Sequence, residues 1–367
     1  MVKKFVYGTP FETEAVVKEI PSSEENPDYG TFSTENGFSF TTKLADDDMV
    51  FGLGEANRGI NKRGFLYISD CADDPNHVES KTSLYAAHNF IIISGKTHVG
   101  FFFDYPGTLR FDIGYTTSDT MTVSCENADL YVYMITGDSD LDIVKQFRGI
   151  IGRSYIAPKF AFGYGQSRWG YKTEDDFRTV VKKYRENHVP LDMVYMDIDY
   201  MQDYKDFTVN EERFPDFEGF VQDMKKEKIH LVPIIDAGVK VEEGYDIYEE
   251  GCEKGYFCRR EDGSYFEATV WPGWTHFPDV LNADARKWFG DKYDVLVSKG
   301  IDAFWNDMNE PSIFYSQEGL ADFKETAKKY AEGDPEVPHY MVGGKLQALA
   351  NNHEDYKRFY HNVNGRS

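Results

Sequence analysis

The sequence predicts two architectures in tandem, an antiparallel β-sandwich and then a parallel sheet wrapped in helices, and three observations carry that prediction. Residues 1 to about 138 alternate apolar and polar with period two between clusters of Gly, Asn and Asp, and no helical period interrupts them. From Pro158 onward, short apolar runs alternate with segments whose apolar residues recur at i, i+3, i+4 and i+7. At 367 residues the chain also exceeds what one core usually serves.

In the first region Phe38 and Phe40 follow the turn pair Asn36-Gly37. Leu109, Phe111 and Ile113, then Met121, Val123 and Cys125, then Leu130, Val132 and Met134 each set an apolar face. Ile91 to Phe103 holds the two most apolar strands, which are expected at the centre of a sandwich. The polar run from Asp70 to His77 cannot continue the strand Phe65 to Ile68, so it reads as a loop, and most such loops are solvated turns. Residues 139–157 read as a linker with a helix over Asp140 to Arg148.

In the second region, 158–367, Phe160 to Tyr164 reads as a buried strand, and Thr173 caps a helix with Asp176 three positions on. Phe177, Val180, Val181 and Tyr184 give that helix its apolar face. The pattern recurs as strand Leu191 to Ile198, helix Phe217 to Met224, strand Leu231 to Asp236, helix Asp284 to Lys299 closed by a left-handed Gly300, and strand Ile301 to Trp305. Each strand ends in polar or aromatic residues: Gln166 to Trp169, Asp197 to Tyr200, Asp236 and Asp307. A (β/α)8 TIM barrel distributes its reactive groups in this way, and about four of its βα units are present. An insertion at about 237–283, rich in Gly, Tyr and Trp, separates the third strand from the fourth.

Composition narrows the function. With 40 basic and 63 acidic residues the net charge is -23, which disfavours nucleic acid and anionic membrane as partners. Cys71, Cys125, Cys252 and Cys258 form no Cys-x-x-Cys pair and read as free thiols. No complete Gly-x-Gly-x-x-Gly, P-loop, Gly-x-Ser-x-Gly or His-Glu-x-x-His occurs, so dinucleotide, nucleotide, serine-hydrolase and zinc-protease chemistries lack their residues, and no cofactor is expected. No apolar h-region follows the N-terminal lysines, which points to a cytoplasmic location.

Carboxylates remain. Trp305-Asn306-Asp307-Met308-Asn309-Glu310-Pro311 joins an apolar run to side chains that cannot all be buried, and acids beside an aromatic suit sugar chemistry. Asp307 or Asn309 could equally cap a following helix. Taken whole, the heptapeptide resembles the nucleophile signature of the α-glucosidases of glycoside hydrolase family 31. Gly163 to Tyr171, Met196-Asp197-Ile198-Asp199-Tyr200-Met201, Val270-Trp271-Pro272-Gly273 and His361-Asn362-Val363-Asn364-Gly365 are similar to other motifs of that family.

The resemblance implies an N-terminal sandwich, a catalytic barrel and a retaining, exo-acting hydrolase that removes terminal non-reducing α-linked glucose from small α-gluco-oligosaccharides. It implies that Asp307 is the nucleophile and that Asp197, with Ile198, and Asp236 bind the terminal glucose. It further implies that Ile235, Trp271, Trp305 and Met308 wall the pocket, and that Asp73, on an N-terminal loop, meets the sugar beyond the cleaved bond. Where the family often has Tyr, this chain has Trp169, an altered pocket wall. Half a barrel would leave open strand edges, so the remaining C-terminal half is expected as a partner, and it would hold the general acid/base. Without it, the alternative is a non-catalytic carbohydrate-binding protein or fragment.

Overall fold

The structure is a computed structural model describing residues 1–25, 27–70, 77–309, 311–333 and 355–362. The chain divides into two compact units, Met1–Tyr155 and Ile156–Ser367.

The first unit is built on two five-stranded antiparallel sheets. One has the order β1 (Val2–Tyr7), β10 (Leu130–Gly137), β7 (His98–Asp104), β6 (Phe90–Ser94), β4 (Met49–Gly52). The other runs β2 (Thr31–Ser33), β3 (Phe38–Lys43), β9 (Thr120–Cys125), β8 (Leu109–Ile113), β5 (Phe65–Ser69). Inward residues at period two, among them Phe38, Phe40, Phe101, Phe103 and Phe111, fill the core. The ring of Phe40 lies 4.6 Å from that of Phe101, a tilted contact that adds to plain burial.

The helix expected in a linker is α1 (Asp140–Ile151), and it packs against β10, β7 and β6. Ser139 caps it by accepting from the Asp142 N–H. Ile143 and Ile150 join Ile92, Tyr133 and Ile135 in a second cluster, and Phe147 stacks on Phe90 at 3.8 Å. Gly100 permits this approach, because a Cβ there would fall 2.6 Å from the Ile143 side chain.

The second unit carries a four-stranded parallel sheet in the order β11 (Gly165–Gln166), β12 (Met193–Met196), β13 (His230–Asp236), β17 (Trp305–Asp307). Helices α2 (Glu174–Glu186) and α3 (Phe217–Lys226) lie between successive strands in the chain. Thr173 and Asp176 form a reciprocal capping box at the start of α2, as their spacing predicts.

Three expectations are corrected. Phe160 to Tyr164 is no strand: Pro158 leads into a 3-10 turn over Lys159–Phe162, which leaves Phe162 exposed, and pairing begins only at Gly165. The helix expected from Asp284 to Lys299 is two helices, α5 (Ala283–Asp291) and α6 (Asp294–Val297). The break turns Tyr293 onto Phe207 and Phe304, with its hydroxyl donating to Asn306 Oδ1 at 2.6 Å. The last strand starts at Trp305 rather than Ile301, and before it the Asp302 carboxylate is held by His230 at 3.0 Å and Lys225 at 3.5 Å.

The insertion is ordered rather than a bare loop. It holds β14 (Val239–Lys240), α4 (Asp246–Lys254), β15 (Glu267–Val270) and β16 (Gly273–His276). A sheet forms in the order β14-β16-β15-β18, where β18 (Tyr315–Ser316) comes from the segment after β17. Helix α7 (Gln317–Ala331) follows, capped by Ser316.

Candidate active site

Parallel pairing puts the C-terminal ends of β11, β12, β13 and β17 on one edge of the sheet, and the acids lie there. β13 and β17 are in a register that matches Ile234 with Trp305, Ile235 with Asn306 and Asp236 with Asp307. Side chains alternate along a strand, so Trp305 and Asp307 share a face with Ile234 and Asp236. By the same alternation Ile235 belongs to the opposite face and Ile234 to that of the acids, and both are buried in one core cluster. Trp305 sets its ring edge-on to Tyr195 of β12, 6.1 Å between centroids, which marks the same face two strands away, across β13.

Asp197 follows β12 directly and caps a 3-10 turn over Ile198–Tyr200, its Oδ1 accepting the Ile198 N–H at 2.8 Å. Burial pushes its carboxyl above the usual carboxylate range, the Ile198 N–H pulls it down, and the charges of Asp199 and Asp307 push it up again. Asp197 and Asp307, distant in sequence, thus feel each other across the sheet end. Ile198 is buried in the core beneath the turn. Asp307 is half-buried and Asp236 buried.

Trp169 and Trp271 are exposed, 61% and 43% accessible, with centroids 6.1 Å apart and planes at 40°. Trp271 sits at the β15–β16 turn and meets Phe314 edge-on at 5.0 Å. The Phe314 N–H donates to Thr269 O at 2.9 Å and the Thr269 hydroxyl to Tyr315 O at 3.2 Å. The hairpin bearing Trp271 is therefore laced to the segment that follows Asp307. Met308 locks the same joint: at φ 57° it turns out of the strand and is buried with Val270, Phe277 and Ile313. Its side chain serves that cluster. Asp73 lies outside the described residues.

Two further carboxylates belong to the surroundings and had no role in the sequence reading. Asp199 is 1% exposed, with Arg213 at 3.4 Å and Lys172 at 3.9 Å from Oδ1. Asp206 is 0% exposed and accepts the Asp236 N–H at 3.1 Å through Oδ1. The signal for both was the density of Asp between 197 and 206, four in ten residues.

Among the described residues one group could ligate a metal: Cys258, Asp279 and His361, with ligand atoms within 4.8 Å of one another. It is already closed by hydrogen bonding. His361 Nδ1 lies 2.8 Å from Asp279 Oδ1, and the Asn362 N–H donates to Asp279 Oδ2 at 2.7 Å. Cys125, Cys252 and Cys258 are free thiols. Among the described residues no helix is long and apolar enough to cross a membrane.

Comparison with known proteins identifies the family of both units. Residues 154–366 match the glycosyl hydrolases family 31 TIM-barrel domain, and residues 10–112 match the glycosyl hydrolase 31 N-terminal galactose mutarotase-like domain. The chain is 37% identical over 277 residues to alpha-glucosidase 2 of Bacillus thermoamyloliquefaciens, covering 74% of this chain and 35% of that protein. It is 26% identical to an alpha-glucosidase of Saccharolobus solfataricus, covering 98% of this chain and 52% of that one. In fold it is similar to a family 31 dextranase from Flavobacterium johnsoniae, with a TM-score of 0.71, 23% identity and coverage of 79% of this chain and 36% of that one. The chain thus spans about a third to a half of the length of these relatives. With a barrel-domain match over more than half of its residues, the chain belongs to glycoside hydrolase family 31.

Proposed function

We propose that the protein carrying this chain is a retaining, exo-acting α-glucosidase whose nucleophile is Asp307. The observation that carries this reading is the register that pairs Asp307 with Asp236 at the sheet end, with Asp197 within electrostatic reach. The Asp307 carboxylate attacks the anomeric carbon of a terminal α-linked glucose and forms a covalent ester as the glycosidic bond breaks. A second carboxylic acid protonates the leaving oxygen, then deprotonates the water that hydrolyses the ester. Retaining enzymes hold that acid about 5–5.5 Å from the nucleophile. We assign it to the remaining half of the barrel. Asp197 and Asp236 accept hydrogen bonds from sugar hydroxyls, and Trp169, Trp271, Trp305 and Ile234 shape the space around the ring. Asp73 is kept as a contact to the leaving sugar, on the family resemblance alone.

Release of p-nitrophenol from its α-glucoside by the full-length protein, and its loss in Asp307→Ala with the fold retained, tests the reading. A trapped glucosyl ester on Asp307 with a 2-fluoro glucoside identifies the covalent step. Binding of glucose without any turnover would turn the assignment to a sugar-binding protein.

A further inference from the structure

Behind the Asp236–Asp307 pair lies a carboxyl group that the chemistry above does not use. Asp206 is completely buried, in the segment between β12 and α3. Its Oδ1 accepts the Asp236 N–H at 3.1 Å, and the Gly238 N–H also reaches the carboxyl, so it pins the backbone where β13 ends. Its Oδ2 is sealed from solvent and has no hydrogen-bond partner among the described residues.

Among the described residues, the groups facing it leave one way to satisfy that oxygen. The phenols of Tyr200, Tyr245 and Tyr293 and the carboxyl of Asp236 all lie within its electrostatic reach. Every phenol proton is already committed. Tyr200 donates to Ile234 O at 2.8 Å, Tyr245 to Asp206 O at 2.8 Å, and Tyr293 to Asn306 Oδ1 at 2.6 Å. The adjacent cation, Lys205, is bound to Glu242 at 2.7 Å. An anionic oxygen sealed from water with no donor, beside a second carboxylate, is the costliest arrangement available. Burial and the Asp236 charge push the Asp206 carboxyl well above the usual carboxylate range, against the pull of the two backbone donors.

We propose that Asp206 is a positioning residue, a carboxylic acid kept neutral whose Oδ2–H is donated to the Asp236 carboxylate and holds that group beside Asp307. Asp236 thereby keeps its charge and the orientation a sugar hydroxyl needs, while Oδ1 of Asp206 fixes the backbone of the same residue. Only the catalytic consequence rests on the proposed nucleophile; the shared proton does not.

Infrared difference spectroscopy of the full-length protein at neutral pH reads the proton directly. Wild type should show a carboxylic-acid C=O band, shifted in deuterated water, that is absent in Asp206→Asn. Asparagine reproduces a neutral acid, accepting through Oδ1 and donating through its amide, so this variant should keep kcat/KM for p-nitrophenyl α-glucoside within about threefold. Asp206→Ala removes both bonds and should lose about tenfold or more. Identical infrared spectra for wild type and Asp206→Asn would overturn the proposal. So would an alanine variant as active as wild type, or an asparagine variant as impaired as the alanine one. If Asp206→Ala does not fold, the spectra and the asparagine variant still decide. A wild-type protein that shows the acid band but releases no p-nitrophenol would defeat the proposed function and leave the shared proton standing.

Discussion

Asp112 in the sandwich and Asp206 in the second unit are both buried acids near a strand end, and their surroundings treat them in opposite ways. Asp112 Oδ1 accepts the N–H groups of Tyr115 and Thr116 at 3.1 and 3.0 Å, and Oδ2 accepts the Thr116 hydroxyl. Burial pushes its carboxyl up, but those donors outweigh burial and leave it below the usual range. Asp206 has an oxygen with no donor and a second buried acid for a neighbour, and it is pushed up. The first aspartate spends its bonding capacity locally to shape a turn. The second holds capacity in reserve at the edge where Asp236 and Asp307 meet. Burial of an acid does not by itself point to the proposed site; unspent capacity beside other acids does.

The contrast can be broken most sharply with the proposed nucleophile. Asp307→Ala should lower kcat/KM on an aryl α-glucoside by about a thousandfold or more, while Asp112→Ala should leave it unchanged. Comparable losses in both variants would erase the distinction between reactive and structural acids.

For stability the order of the two units reverses. Phe40, wholly buried between the sandwich sheets, should cost about 3–5 kcal/mol when cut to alanine, read from urea unfolding, with little change in kcat for folded protein. A cost under about 1 kcal/mol would mean that the aromatic core tolerates a void.

Asp112→Ala should cost about 1–3 kcal/mol, because two backbone donors lose their acceptor. Its folded carboxyl lies below its unfolded value, so its stabilisation is present above the ordinary carboxylate pKa and lost as pH falls through the folded value. The gap between wild type and variant should therefore narrow in acid. Asp206 has the opposite sign. Its folded carboxyl lies above the unfolded value, so its contribution is full below the unfolded value and shrinks as pH rises through the folded one. Asp206→Asn should accordingly gain on wild type as pH is raised, as thermal melts across the acid-to-neutral range would show. Parallel pH dependences for the two variants would contradict the comparison.

The smallest expected effect is on specificity. Trp169 is more than half exposed and faces Trp271, so Trp169→Tyr should change the ratio of kcat/KM for isomaltose and maltose by about tenfold or less, towards maltose. An unchanged ratio would remove Trp169 from the leaving-sugar side.

Much of this was legible locally. The alternation in β3, β8, β9 and β10, the Thr173–Asp176 capping box and the apolar face of α3 are consequences of period and side-chain chemistry within a few residues. The heptapeptide around Asp307 was legible for the same reason, because chemistry at a strand end concentrates unusual side chains in a short stretch. The misplaced elements lacked such a signal. Phe160 to Tyr164 is as apolar as a strand, but strand formation needs a partner ladder, and the backbone turns before it reaches one. Ala283 to Val297 keeps helical periodicity across a break that Tyr293 makes by packing inward.

By itself, then, the sequence determined the kinds of element, their order and the residues able to do sugar chemistry, since propensity and hydrophobic period act between neighbours. Only the tertiary structure decided which of those residues meet. A shift of one residue between β13 and β17 would replace Ile234 and Asp236 by Ile235 on the face of Asp307, and that register is set by which faces of two distant segments are buried when they pack together. The same long-range packing closed Asp206 in with Asp236 and turned Met308 into the insertion's core, because burial and pairing are properties of a neighbourhood that the chain creates only when it folds.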